Sequence, residues 1–167
     1  AQGALGWYMV ASGLVDRVDV SQYRLAAHLT LAAIIFAAVI WVALGLGKER
    51  RRPANMNQLF GMSLTGLILL QIAAGGLVAG LDAGMGYATW PLMDGQWAPA
   101  GLFAMSPGWT NFFENAMTVQ FNHRVLAYLV LASAVIYAWR ARTAQSAILA
   151  LAVFAQAFLG VVTLLLG

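Results

Sequence analysis

Residues 22–47, QYRLAAHLTLAAIIFAAVIWVALGLG, decide the class of the fold. Beyond Arg24 this stretch contains no lysine, arginine, aspartate or glutamate, and it runs without a break to Gly45-Leu46-Gly47. A helix needs about 20 apolar residues to cross the hydrocarbon core of a bilayer. The stretch therefore predicts a membrane-spanning helix.

Similar apolar runs cover most of the remaining chain, at residues 58–81, 112–140 and 144–166, with a shorter run at 1–15. Of the 167 residues, 62% are hydrophobic and only 9% are charged, whereas soluble domains carry about 25% charged residues. The sequence predicts an all-α fold, a polytopic transmembrane helical bundle. Its one long loop, residues 82–110, is rich in Gly, Pro, Trp and Met, and we expect it to form an ordered outer cap.

Positive charge marks one side of the membrane. Six of the nine lysines and arginines lie in the loops after the second and fourth helices: Lys48, Arg50, Arg51, Arg52, Arg140 and Arg142. Such an excess of cations in short loops is typical of the cytoplasmic side. Residues 48–57 are therefore predicted to be a cytoplasmic linker, and the long loop to face the opposite side.

A single cysteine placed at Asn55 tests this topology, because the chain has no cysteine of its own. An impermeant thiol reagent added to intact cells should leave Asn55→Cys unlabelled and should react once the membrane is opened. Labelling from outside intact cells would contradict the predicted orientation.

A short motif recurs in the helices that are predicted to run outward. The three copies of Gln-x-x-x-Gly are Gln2 to Gly6, Gln71 to Gly75 and Gln156 to Gly160. After each of the first two copies, an outer loop leads to an inward-running helix with a histidine near its outer end, His28 or His123. One such motif is ordinary, since small residues at this spacing are common at helix contacts. Its recurrence at equivalent places predicts repeated helical hairpins.

His28 and His123 are the strongest candidates for chemistry. Each lies about 9 Å from the outer end of its helix, at 1.5 Å per residue, where ionisable groups are costly and usually face the interior of the bundle. Imidazoles on facing helices are a common means of holding haem iron. Both histidines are predicted to be metal ligands, with hydrogen bonding between helices or a proton relay as alternatives.

Each histidine has an arginine nearby. Arg24 precedes His28 by four residues and shares its helix face, and Arg124 directly follows His123. A guanidinium group suits bidentate pairing with a carboxylate such as a haem propionate. The alternative is that both side chains extend to the membrane interface.

Three polar residues of the outer loop region fit structural roles. Asn111 is expected to cap the helix that follows it, and Glu114 to complement the helix dipole in its first turn. Asp94, in PLMDG (91–95), is expected to form a turn.

The lack of cysteine excludes thiolate metal sites and disulfides. The first residues carry no charged segment or cleavage pattern, so we expect no signal peptide.

The tryptophans and methionines are expected to be mainly structural. Trp7, Trp90, Trp97 and Trp109 are assigned to the interfacial belt of aromatic residues. Trp90 and Trp97 are also candidates to cover a haem edge. Met85, Met93 and Met105 are expected to pack against neighbours rather than to serve as axial ligands.

Four segments resemble the haem A synthase family in its mitochondrial and alphaproteobacterial form. They are GWYMVASGL (6–14), QYRLAAH (22–28), GLDAGMGYATWPLMDG (80–95) and FFENAMTVQFNHR (112–124). The resemblance implies a protein of eight helices in two four-helix halves, with this chain as a central portion. Residues 1–47 would be the end of the first half, and 58–167 the second half without its last helix.

The resemblance also implies an activity, the oxidation of the C8 methyl of haem O to a formyl group, which gives haem A for cytochrome oxidase. His28 and Arg24 would bind the substrate haem, and His123 and Arg124 a cofactor haem b. The family's catalytic glutamate stands three residues before a His-Arg pair in a helix outside this chain, and Gln120 occupies the matching place here. We therefore expect the chain to be inactive by itself.

The same resemblance implies a multi-pass protein of the bacterial plasma membrane or the mitochondrial inner membrane. Its expected partners are membrane lipid, haem O and an unidentified electron donor, with haem O synthase and a second copy of the chain as further candidates. No nucleic acid is expected, because the basic residues lie beside apolar spans. A b-type cytochrome that transfers electrons, and a haem-free transporter or assembly factor, are the alternative functions.

Overall fold

The structure is a computed structural model that describes residues 1–11, 20–46 and 55–166. Its helices are α1 (Gln2–Val10), α2 (Gln22–Gly45), α3 (Met56–Gly80), the short α4 (Ala83–Gly86), α5 (Ala116–Ala141) and α6 (Ala144–Leu166). A 3-10 helix covers Gly108–Phe112, and the described residues form no strand beyond one isolated bridge. The predicted all-α class is confirmed.

Four of these helices, α2, α3, α5 and α6, are long and apolar enough to cross a membrane. They keep many large apolar side chains exposed, such as Phe36 at 69% and Leu151 at 67%. Exposing that surface to water would cost about 25 cal/mol for each square ångström, whereas lipid solvates it. The predicted multi-pass membrane bundle is confirmed. Residues 12–15 and 47–54, within the predicted first helix, second helix and linker, lie outside the described residues.

The helix starts differ from the sequence prediction at two places. Helix α3 begins at Met56 instead of residue 58, because Asn55 and Gln58 form a capping box: the Asn55 side chain accepts from the Gln58 amide at 2.9 Å, and Gln58 Oε1 accepts from the Asn55 amide at 2.8 Å. The last two residues of the predicted linker therefore belong to α3.

The second difference concerns α5, which begins at Ala116 and is capped by Asn115. The prediction of Asn111 as the cap was wrong. Asn111 is fully buried, and its amide holds the loop by bonding both the N–H and the C=O of Met105 at 2.9 Å. Two asparagines one helical turn apart offer the same capping signal, and the loop contacts decide between them.

Each long helix packs on the next one in the chain, so that α1, α2, α3, α5 and α6 follow one another. The closest approach lies between α2 and α3 at two glycines four residues apart. A Cβ atom on Gly76 would lie 2.6 Å from Ala26 Cα, and one on Gly80 would lie 2.4 Å from Gln22 Cα. Both distances are to backbone atoms, so α2 can approach α3 this closely only where α3 lacks a side chain.

A small apolar core lies where α3, α5 and α6 meet. Leu64, Val130 and Ala134 are buried there, and Leu149 and Val153 of α6 pack against them. Phe60 and Tyr137 stack nearby, with their ring centroids 5.9 Å apart. The core lies nearer the end of the bundle opposite the loop of residues 82–110, and the histidines lie nearer the loop.

Adding one methyl group at the α2–α3 contact should destabilise the protein. Gly76→Ala should lower the free energy of unfolding in detergent by about 2 kcal/mol, because the new Cβ overlaps the backbone of α2. The matched control is Gly66→Ala on the same helix, where a Cβ atom would have no described neighbour within 4 Å. The control should be neutral or stabilising by up to about 1 kcal/mol. Equal effects of the two substitutions would contradict the contact.

Candidate functional site

His28 and His123 lie at equivalent places in two helical hairpins. His28 lies six residues after the start of α2 and packs on α1, whereas His123 lies seven residues after the start of α5 and packs on α3. At 1.5 Å per residue both are about 10 Å from the outer helix ends. Both side chains are half-buried. The depth expected from the sequence is confirmed.

A glycine of the preceding helix lies against each imidazole. The position of a Cβ atom on Gly6 is 3.1 Å from His28 Cε1, and that on Gly75 is 3.1 Å from His123 Cε1. The distances to the ring nitrogens also agree, at 3.6 and 3.9 Å for His28 and 3.7 and 3.9 Å for His123. The two hairpins therefore repeat the same local packing of an imidazole on a glycine.

A glutamine one turn before each glycine contacts the same ring. Gln2 Nε2 lies 3.3 Å from His28 Nδ1 and 3.4 Å from its Nε2, and it also donates to the His28 carbonyl at 3.1 Å. Gln71 Nε2 lies 3.3 Å from His123 Nε2. The Gln-x-x-x-Gly motif was visible in the sequence, but sequence reasoning missed that both of its residues contact the histidine. In the third copy, Gly160 has no atom within 4 Å of its Cβ position among the described residues.

The described part of the chain gathers no group of three or more His, Asp or Glu side chains able to hold a bare metal ion. A metal bound by one of these imidazoles would need most of its ligands from another source. A haem brings four nitrogens of its own and needs only axial ligands from protein. A single imidazole at each place is a donor that can serve as an axial ligand of haem.

Both arginines donate to backbone carbonyls of the outer segments. Arg24 donates from Nη1 to the Tyr8 carbonyl at 2.8 Å, and its guanidinium lies 3.6 Å from the centre of the Tyr8 ring. Arg124 donates to the carbonyls of Tyr87 at 2.6 Å and Thr89 at 2.7 Å. These contacts fasten the end of α1 and the segment that follows α4 to the histidine helices, a role that sequence reasoning missed.

Gln120, which stands three residues before His123, has a structural role. Its side chain is only 3% exposed, and its Nε2 donates weakly to the carbonyls of Gly84 at 3.4 Å and Tyr87 at 3.3 Å. Together with Arg124, one turn further along α5, it attaches residues 84–89 to the helix. An amide cannot act as a general acid or base at this place.

Glu114 does not lie in the first turn of a helix, so the predicted interaction with the dipole was wrong. It precedes the cap of α5 and accepts hydrogen bonds from Gln22 Nε2 at 3.0 Å and from the Tyr23 hydroxyl. Because the helix starts later than expected, this carboxylate joins the outer end of α2 to the segment before α5.

The predictions for Asp94 and for the three methionines had different outcomes. Asp94 and Gly95, both with positive φ, form a two-residue turn closed by reciprocal backbone hydrogen bonds between Met93 and Gln96, as predicted. Met93 is buried, but Met85 and Met105 are exposed and do not pack in the interior.

The four tryptophans assigned to the interfacial belt, Trp7, Trp90, Trp97 and Trp109, are exposed at the outer end, consistent with that place. Trp90 also donates from Nε1 to the Tyr128 hydroxyl of α5 at 3.1 Å. The covering of a haem edge by Trp90 and Trp97 stays a prediction.

Comparison of the chain with known families matches residues 1–167 to the cytochrome oxidase assembly protein family. The chain belongs to that family. It is 52% identical over 98% of its length to a protein named "Heme A synthase" from Parvibaculum lavamentivorans, and 54% identical over 98% to one of the same name from Azorhizobium caulinodans. The recognition of the family from sequence motifs is thereby confirmed, and the place of this chain within the longer protein stays a prediction.

The chain spans about half the length of these relatives, since the matches cover 49% of each. No solved structure matches it. Each of these relatives therefore also contains a region of about equal length that this chain does not match.

Removing the Arg124 guanidinium should loosen the outer loop. Hydrogen bonds to charged groups contribute about 1.5–3 kcal/mol each, so loss of both in Arg124→Gln should raise the open population of residues 85–92 by roughly 100-fold or more. Limited digestion with chymotrypsin, read by mass spectrometry at Tyr87, measures this. The exposed Arg140, in the last turn of α5, provides the control Arg140→Gln. Unchanged cleavage at Tyr87 would contradict the role of Arg124.

Proposed function

We propose that this chain is part of a haem A synthase, which oxidises the C8 methyl of haem O to a formyl group. The observation that carries the proposal is the pair of equivalent imidazoles, each placed about 10 Å inside the bundle against a glycine and a glutamine of the preceding helix. The names of the relatives give the product, haem A, the resemblance implies the oxidation of haem O, and the donor set supplies the reason to expect haem at these places.

The two histidines are assigned to separate haems. His28 packs on α1 and His123 on α3, so each belongs to its own hairpin. By position, His28 with Arg24 would serve the substrate haem O, and His123 with Arg124 a permanent haem b. Residues 1–47 and 58–167 would then belong to the two halves of the protein.

A buried and unpartnered polar atom supports haem ligation at His123. Its Nδ1 has no hydrogen-bond partner among the described residues, and neither has Oε1 of Gln71 beside it. A buried polar group without a partner costs free energy, so an imidazole with such an atom is expected to gain a further interaction. His123 would hold a haem through one ring nitrogen, and the haem iron would supply redox chemistry.

The residues of this chain would bind and orient the haems rather than transfer protons. His28 and His123 would supply axial imidazoles, and the apolar faces around them would exclude water. Arg24 and Arg124 would be the cations offered to propionates, although Arg24 already donates to one backbone carbonyl and Arg124 to two. Gln120 would hold the outer loop and would take no part in the oxidation.

Further features of the whole protein follow from this proposal. It would lie in the bacterial plasma membrane or the mitochondrial inner membrane, and it would need an electron donor, with haem O synthase and a second copy as other partners. A b-type cytochrome that only transfers electrons is the alternative, because axial imidazoles at these two places would serve it equally.

Substitution of the two histidines in the full-length protein should give different results. His123→Ala should remove the haem b spectrum and weaken folding, because a bound ligand stabilises the native state by mass action. His28→Ala should keep much of that spectrum while unconverted haem O accumulates. Absorption spectra and extraction of the pigments measure both effects.

The control is Asn122→Ala, which alters the neighbour of His123 and should leave the spectrum and the pigments unchanged. Equal loss of haem in both histidine variants, without accumulated haem O, would favour the electron-transfer function. Full retention of haem in both variants would exclude these histidines as ligands.

A further inference from the structure

Three buried atoms at the histidine sites lack hydrogen-bond partners among the described residues. They are Oε1 of Gln2, Oε1 of Gln71 and Nδ1 of His123. In each pair the glutamine places its NH₂ group, and not its oxygen, beside the imidazole. Rotation of the carboxamide group about one bond would therefore bring an acceptor oxygen beside an imidazole nitrogen that can carry a hydrogen.

An imidazole that binds iron through one nitrogen carries a hydrogen on the other. That N–H group nearly always donates to a carboxylate, a carbonyl or water, and the hydrogen bond sets the ring orientation and raises the basicity of the ligand. A glutamine amide can supply this acceptor, because its oxygen and nitrogen exchange places by rotation about one bond. Exchange of the two amide atoms of Gln71 would place Oε1 where Nε2 now lies, 3.3 Å from Nε2 of His123, and would leave Nδ1 for the iron.

The reach of the amide is evident in the first hairpin. Gln2 Nε2 lies 3.3 Å from Nδ1 and 3.4 Å from Nε2 of His28, so a glutamine at this position reaches either ring nitrogen. Gln71 Nε2 lies 3.3 Å from Nε2 of His123, and the glycine contacts agree to within 0.1 Å between the hairpins. Gln71 is therefore placed to bond Nε2 of His123.

We infer that Gln71 is a positioning residue that accepts a hydrogen bond, through Oε1, from the ring nitrogen of His123 that is not bonded to iron. Gly75 provides the space in which the ring lies. This inference rests on the proposed haem ligation and deepens it. It gives the Gln-x-x-x-Gly motif of α3 a function beyond helix packing.

The consequence is a lower reduction potential for the haem. A hydrogen bond accepted from the ligand imidazole makes the ring a stronger electron donor, which favours ferric over ferrous iron, and hydrogen bonding around the axial ligand is one of the means by which proteins set haem potentials. Removing the acceptor should therefore raise the potential without removing the haem, since the iron–imidazole bond remains.

The test is an optical redox titration of the haem held by His123, in the full-length protein purified with its haem. Gln71→Leu should retain the haem and raise the ferrous-to-ferric ratio at a fixed potential by about tenfold, which corresponds to 59 mV for one electron. Gln71→Glu keeps an acceptor oxygen and should hold the potential at or below that of the unmodified protein.

Two variants provide controls for position. Gln145→Leu makes the same substitution at an exposed residue in the first turn of α6 and should leave the potential unchanged. Gln2→Leu should also leave the potential of this haem unchanged, because Gln2 contacts His28 and not His123.

A third variant tests the space that Gly75 provides. Gly75→Ala should alter the low-spin electron paramagnetic resonance signal, since the added Cβ would lie 3.1 Å from the ring and displace it.

The results for His123→Ala and Gln71→Leu distinguish a failure of haem ligation by His123 from a failure of the hydrogen bond to Gln71. If His123→Ala keeps the haem, the proposed ligation fails whatever Gln71 does. If His123→Ala loses the haem while Gln71→Leu leaves the potential unchanged, the ligation stands and the role of Gln71 is overturned. A rise with Gln71→Leu that Gln71→Glu reproduces would also overturn it, because loss of packing would then explain both.

Discussion

The arrangement of the bundle depends on the absence of side chains at adjacent positions of α3. Gly76 and Gly80 bring the backbone of α2 so close that a Cβ at either position would overlap it, while Gly75, on a neighbouring face, receives the imidazole of His123. One helix thus contacts α2 on one side and the histidine of α5 on another. Because association within lipid relies on close packing and not on hydrophobic burial, these contacts carry much of the cohesion between the hairpins.

The packing of each imidazole on a glycine also restrains the ring. The glycine lets the ring lie directly against the neighbouring helix, and the glutamine one turn away contacts the ring nitrogens. The repetition of this arrangement at His28 and His123 argues against a chance contact, because the distances agree in two hairpins whose sequences otherwise differ. The outer segments add a further restraint, since Arg24 and Arg124 attach them to the helices that carry the histidines.

The spans and the histidines could be predicted from the sequence, because both depend on local properties. A run of about 20 or more apolar residues has few alternatives to a membrane helix, and a histidine within such a run is conspicuous. The choice between Asn111 and Asn115 as the cap, and the role of Glu114, could not be predicted, because they depend on contacts between the loop and distant residues. The motif of Gln71 and Gly75 was visible as a repeat, but only the fold places both residues on one ring.

The assignment of His28 and His123 as axial ligands of two separate haems is the central claim. An experimental structure of the full-length protein with its haems bound tests it most directly. We expect one iron within bonding distance of a ring nitrogen of His28 and a different iron at His123, with Gln71 on the remaining nitrogen of His123. Imidazoles that face lipid, or that meet at a single iron, would contradict it.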